Sequence, residues 1–209
     1  MISKNHILSI STIGLMLVLV LANVRAYTIS GPSMTPTYLV GDRVISNKLA
    51  YDFKVPFTER ILFNIGAPNR GDTVTYFDLE KKGIAVKRVI GIPGDTIQLR
   101  DNVVYINGAR LEQTVRLLDF ERLIPDENRL GLLVFSEDLD GREYLITYTP
   151  HARVRPDLGK TSIPDDYYFI LGDHRDNSAD SRFIGLISRE QIKGRVIYGA
   201  RSLDSYRSQ

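Results

Sequence analysis

Between His6 and Arg25 lie eighteen residues, 7 to 24, without one charged side chain, and only Ser9, Ser11, Thr12 and Asn23 among them are polar. As a helix rising ~1.5 Å per residue such a run reaches ~27 Å, close to the ~30 Å hydrocarbon core of a bilayer. Buried in a soluble domain, a helix apolar on all sides would need a large core around it. A cleaved leader would end in a small-x-small exit, whereas Ala22-Asn23-Val24-Arg25-Ala26 puts Val and Arg where small residues belong. The run therefore predicts one uncleaved transmembrane helix over 7–24, after a short N-terminal segment over 1–6 and before an aqueous body over 25–209. Charge leaves its orientation open, because Lys4 and the amino terminus are balanced by Arg25.

The body reads as β. Segments at 43–47, 73–77, 84–90, 96–99, 103–106, 166–171 and 195–198 are short and rich in β-branched and aromatic residues. Gly41-Asp42, Gly71-Asp72, Gly94-Asp95 and Gly172-Asp173 punctuate them, and Asn107-Gly108 is a hairpin signal. The pattern predicts a mostly β, antiparallel, sandwich- or barrel-like domain. Residues 112–163, with Pro125, Pro150 and Pro156 among charged residues, read as an inserted subdomain.

Composition narrows the chemistry. A net charge of +2 leaves no electrostatic footprint for nucleic acid. With no cysteine, thiolate metal sites, Cys nucleophiles and disulfides are excluded. His6, His151 and His174 offer little material for a metal site, and no cofactor is implied.

Three segments carry candidate chemistry. In Gly31-Pro32-Ser33-Met34-Thr35-Pro36-Thr37 a serine sits on proline-restricted backbone, which suits a nucleophile and equally a plain turn. In the 84–90 strand Lys87 shares a face with Ala85 and Val89. A lysine there either snorkels to water or is buried, and burial lowers its pKa toward a neutral amine able to act as general base for a hydroxyl. The segment 172–182, Gly-Asp-His-Arg-Asp-Asn-Ser-Ala-Asp-Ser-Arg, is far more polar than a connection requires. It is either a solvated loop or one that fixes its own shape beside a site.

In order and together, GlyProSerMetThrProThr, LysArgValIleGlyIleProGlyAsp (87–95) and the 172–182 segment resemble the boxes of type I signal peptidases. These are bacterial membrane-anchored Ser–Lys serine proteases that remove leader peptides from exported preproteins. Gly41-Asp42-Arg43-Val44 and Arg70-Gly71-Asp72-Thr73-Val74 add secondary matches, while 112–163 matches poorly. The resemblance implies Ser33 as nucleophile and neutral Lys87 as general base. Ser178 would orient the amine, and Asp180, Arg182 and Arg88 would support the site. The Ser33 N–H would serve in the oxyanion hole. Met34, Val86 and Ile29 would line small pockets for substrate residues −1 and −3. It implies preprotein signal peptides and the lipid bilayer as partners, a cytoplasmic N-terminus, and a catalytic domain outside the cytoplasmic membrane. Gly31 stands where some members carry a serine whose hydroxyl completes the oxyanion hole, and His174 where asparagine is frequent.

Other assignments stay open on sequence. His174, among Asp173 and Asp176, could form a Ser–His–Asp triad. A Ser–Lys peptidase dedicated to a conjugative-transfer or pilin-maturation substrate fits the same motifs, and a self-cleaving repressor fits less well without a DNA-binding segment. An anchored, non-enzymatic β-domain that binds exported proteins fits the fold. The apolar runs around 53–57 and 61–63 are candidates for insertion among lipid headgroups.

Overall fold

The computed structural model describes residues 23–54, 58, 60–116, 131–152 and 157–200. The expected transmembrane run lies outside the described residues except for its last two positions, and these are not helical. Asn23 sits in a turn, and Val24 opens a strand by pairing with Asn47. The boundary drawn at 24 is therefore corrected: strand pairing has begun by Val24. Among the described residues no helix is long and apolar enough to cross a membrane.

Antiparallel pairing dominates, as the short β-branched segments predict. The largest sheet has seven strands. It contains β1 (Val24–Thr28), β2 (Arg43–Asn47), β5 (Thr73–Asp78), β6 (Gly83–Gly91), β14 (Tyr167–Leu171), β15 (Ile187–Ser188) and β16 (Ile192–Ala200), in the order β1-β2-β16-β5-β6-β14-β15. A second sheet has β7 (Thr96–Arg100), β8 (Val103–Ile106), β9 (Ala109–Arg110) and β13 (Leu158–Ser162), in the order β13-β7-β8-β9. Asn107 and Gly108 both have positive φ, 53° and 85°, as the tight turn between β8 and β9 requires. A two-stranded ribbon pairs β3 (Asp52–Lys54) with β4 (Ile61–Asn64).

The 112–163 region is not one separate unit. Its β10 (Gln113–Val115), β11 (Leu133–Leu139) and β12 (Arg142–Tyr148) form a three-stranded sheet, but β13 joins β7 in the second sheet. Sequence patterning missed these strands because β11 buries Ser136 and Glu137 where apolar residues would mark a strand.

Strand β14 shows how the cores are divided. Tyr168 and Ile170 join Tyr51, Val74, Tyr76, Val89, Ile187 and Ile192 in one cluster, while Phe169 and Leu171 join a cluster reaching the second sheet through Ile97, Leu99, Val104 and Ile106. Alternating side chains thus bury both faces of the sheet centre. A third cluster, Ile29, Met34, Val44 and Val86, lies under the serine motif.

Candidate active site

Ser33 occupies a 3-10 turn, Pro32–Met34, entered from an extended Gly31. Pro32 pre-sets the first turn residue and lacks an N–H that would go unpaired there anyway. Met34 is buried beneath and pins the turn to the third cluster. The Ser33 carbonyl accepts from His174 N at 3.1 Å, tying the turn to the polar loop after β14.

Lys87 lies in β6 directly opposite Val74 of β5. Its sheet face carries Val74, Tyr76 and Val89, so its stem runs over apolar surface and the residue is only 4% exposed. The amine is 2.6 Å from Ser33 Oγ and donates to the Val86 carbonyl at 2.9 Å. Burial lowers the Lys87 pKa from 10.5 to about 8, opposed in part by the Asp180 carboxylate. A hydroxyl held against an amine whose proton affinity is lowered by burial has the arrangement in which the amine can take the hydroxyl's proton.

The other expected residues fall around this pair. Asp180 is fully buried; Oδ2 accepts from Gly172 N at 3.0 Å, and Arg182 grips both carboxylate oxygens at 2.8 and 2.7 Å. Asp180 also caps the short helix α1 (Ser181–Ile184). Arg88 points away from the pair, into a fork with Asp173 at 2.8 and 2.7 Å, a bond to the Gly71 carbonyl, and a stack on the Tyr144 ring at 4.2 Å. Ser178 is buried close to the Ser33 carbonyl. Its Oγ has no hydrogen-bond partner among the described residues, so the bond to Lys87 expected from sequence is not made in this arrangement. Ile29, Met34 and Val86 all line a cleft of about 200 Å³ that also contains Ser33 and Lys87. His174 Nε2 contacts Thr149 Oγ1 at 3.1 Å and Asp176 at 3.2 Å, while Ser33 Oγ is bonded to Lys87. The described residues contain no group of His, Asp or Glu side chains able to hold a metal.

Sequence reasoning treated three site features as incidental. Gly172, read as turn punctuation, is where the Ser33 carbonyl and Ser178 close in; a Cβ there would sit 2.4 Å from Ser33 O and 2.3 Å from Ser178 Oγ. Asp173 receives Arg88 and also the Thr37 hydroxyl, locking the loop to the serine turn. Glu137, from the unreadable region, is buried against Arg175 of the loop, with Tyr144 and Gln113 also donating to it. Burial alone would raise the Glu137 pKa, but the Arg175 guanidinium prevails and holds it below the ordinary value. Strand β12 extends this brace: Thr147 N donates to Asp173 O, and Arg175 N to Thr147 O, both at 2.9 Å. The doublet Gly172-Asp173 was legible as a signal; Glu137 carried none.

The fold and the site define a mostly β protein in which a serine hydroxyl and a buried lysine amine meet in a small cleft of mixed polar and apolar lining. Comparison with known proteins gives the family: the profile described as "Signal peptidase, peptidase S26" matches residues 3–199. The chain belongs to that family. It is 37% identical over 176 residues to a signal peptidase I of Pseudomonas aeruginosa, an alignment covering 81% of this chain and 59% of the Pseudomonas protein. It is 35% identical over 170 residues to a signal peptidase I of Bacillus caldolyticus, covering 81% and 75% of the two chains. It is 33% identical over 177 residues to a signal peptidase IB of Staphylococcus aureus, covering 84% and 76%. The chain thus spans about three fifths of the Pseudomonas relative's length.

Proposed function

We propose that this protein is a membrane-anchored serine endopeptidase that removes N-terminal signal peptides from exported preproteins after small residues at −3 and −1. The contact of 2.6 Å between Ser33 Oγ and a buried Lys87 Nζ carries the proposal. The named relatives, each a signal peptidase I or IB, support it.

Neutral Lys87 takes the Ser33 proton as Oγ attacks the scissile carbonyl. The Ser33 N–H, at the start of a helical turn where donors lack intrahelical acceptors, stabilises the oxyanion. The protonated amine then passes its proton to the departing amino group, leaving an acyl-enzyme. Lys87 next deprotonates water for hydrolysis. With a pKa of about 8, roughly a tenth of Lys87 is neutral at pH 7. Activity therefore rises with pH through that value. Ser178, whose Oγ is unbonded in the structure, orients the amine once its hydroxyl rotates toward Lys87, and Asp180 with Arg182 braces the loop that holds Ser178. Arg88 acts at one remove, through Asp173.

Substrate binds as an extended strand. Strand β14 pairs with β6 only from Arg88 onward, leaving the stretch before it open on that side. A peptide laid there pairs its backbone and presents alternate side chains to Ile29, Met34 and Val86, whose shallow apolar walls admit only small groups at −1 and −3. The apolar run from residue 7 anchors the chain, with the N-terminus cytoplasmic and the catalytic body at the outer membrane surface. The β3–β4 ribbon supports this placement: Ile61, Leu62 and Phe63 are exposed, and Phe63 stacks on Phe53 at 4.9 Å. Single apolar side chains at a surface are ordinary, but a contiguous set marks a contact, here with lipid headgroups.

The test is incubation of the full chain in detergent with a preprotein. Wild type releases the leader, faster as pH rises from 6 to 9, while Ser33→Ala and Lys87→Ala leave the preprotein intact and His174→Ala keeps most of the activity. Cleavage that survives Lys87→Ala but is lost in His174→Ala would overturn the assignment of the base.

A further inference from the structure

The serine turn hangs on two donors that share one piece of backbone. The Ser33 carbonyl accepts from His174 N at 3.1 Å, and the Thr35 carbonyl, two residues on, accepts from Thr147 Oγ1 at 3.0 Å. Thr35 closes the 3-10 turn and is buried. A carbonyl at the end of a helical turn has no partner within the turn, and a buried one left unpaired is costly. Thr147 supplies that partner from β12, 112 residues away in sequence, and is itself fully buried.

The two donors are not independent. Thr147 N donates to Asp173 O and Arg175 N to Thr147 O, so Thr147 and His174 form a single parallel β-bridge. Strand and loop therefore present the His174 N–H and the Thr147 hydroxyl as two fixed prongs. Met34 seats the turn in the third cluster, but apolar contact is non-directional and leaves the turn free to rock. Hydrogen bonds are directional. One of them would still let the turn pivot; two, on carbonyls two residues apart, set its tilt. That tilt decides where Ser33 Oγ stands against Lys87 Nζ, 2.6 Å away.

Resting on the signal-peptidase reading above, we infer that Thr147 is a positioning residue for the cleavage reaction. Its hydroxyl aims the serine turn, and so fixes where Ser33 Oγ meets the scissile carbonyl and where the Ser33 N–H meets the oxyanion. Thr147 is not among the residues lining the cleft, and it acts through the turn. A hydroxyl on the β-carbon is what the bond needs; valine has the same shape and no donor. The cleft walls Ile29 and Val86 stand on other segments, so substrate binding depends little on this bond.

The test is kcat and KM of the full chain in detergent, with a preprotein substrate, for Thr147→Val, Thr147→Ser and Ser136→Ala. The valine variant is expected to lower kcat by about 10- to 100-fold, the scale of a misplacement of up to 1 Å, with KM little changed. The serine variant keeps the donor and recovers most of kcat. Ser136→Ala removes a different buried hydroxyl of the same sheet, one bonded to Arg116. It is expected to lower the thermal midpoint, as Thr147→Val does, while keeping kcat. A kcat near the wild-type value in Thr147→Val would overturn the inference. So would a loss that Thr147→Ser does not repair or that Ser136→Ala shares, since either marks a general weakening of the sheet. Should the valine variant fail to fold, Thr147→Ala against Thr147→Ser makes the same comparison. Failure of the alanine variant to fold as well would overturn the inference, because the hydroxyl would then serve the fold and not the turn. A wild type that cleaves with kcat indifferent to position 147 leaves the peptidase reading standing. A wild type that leaves the preprotein intact, as Ser33→Ala does, sinks both.

Discussion

Lys87 holds the account together at the scale of single residues. Its folded pKa of about 8 lies below the ordinary 10.5 because burial disfavours the ammonium. Between those values the unfolded chain binds a proton that the folded chain does not, so this group's contribution to stability rises with pH across that window. Below pH 8 the folded protein carries the full cost of a buried charge. Lys87→Met should therefore abolish cleavage yet raise stability at pH 7 by about 1–3 kcal/mol, a gain that shrinks as pH approaches 10.5. Urea unfolding at the two pH values checks this; a variant less stable than wild type at pH 7 would mean that the amine is solvated. His174, a rival for the base on sequence alone, has its ring engaged by Thr149 and Asp176 and serves the serine through its backbone N–H.

At the scale of elements, the site is assembled where β14 stops. After Leu171 the chain passes Gly172 into a loop whose three carboxylates are all engaged, in the Asp173–Arg88 fork, the Arg182 clamp on Asp180, and the Asp176 bonds to Thr149. Glycine is needed at 172 because two groups close on its α-carbon. Gly172→Ala must push back the Ser33 carbonyl or Ser178. It should lower kcat by ~100-fold or more, the scale for a misplacement near 1 Å, with far-ultraviolet circular dichroism unchanged. Near-normal kcat would show that the loop yields at no cost to the site. Strand β14 was legible because it buries a continuous apolar run, β6 because β-branched and aliphatic residues flank its Lys87-Arg88 pair, and the serine turn because prolines flank it. Strands β10 to β12 were not, since their inward positions include Ser136 and Glu137, which are paid for by partners distant in sequence.

At the scale of the whole molecule, the seven-stranded sheet bends so that the end of β1 and the start of β6 face each other across the cleft, with the third cluster beneath them. The three-stranded sheet, part of the region read from sequence as an inserted subdomain, reaches the site loop through Glu137 and Arg175 and through Thr147. Breaking such a buried pair from one side leaves an uncompensated charge, so this distant sheet fixes the shape of the loop. Nothing in the local sequence could disclose that, because the partners are 38 residues apart. Antiparallel β architecture, by contrast, was written in the spacing of β-branched segments.

The protonation of Lys87 is the most direct test. Side-chain nitrogen-15 NMR of the full chain in detergent micelles, with the resonance assigned by its loss in Lys87→Met, reports the titration of this one amine. A midpoint near 8, moving with the pH dependence of kcat/KM, is the expected result. A midpoint near 10.5, with cleavage already maximal at pH 7, would contradict a lysine base.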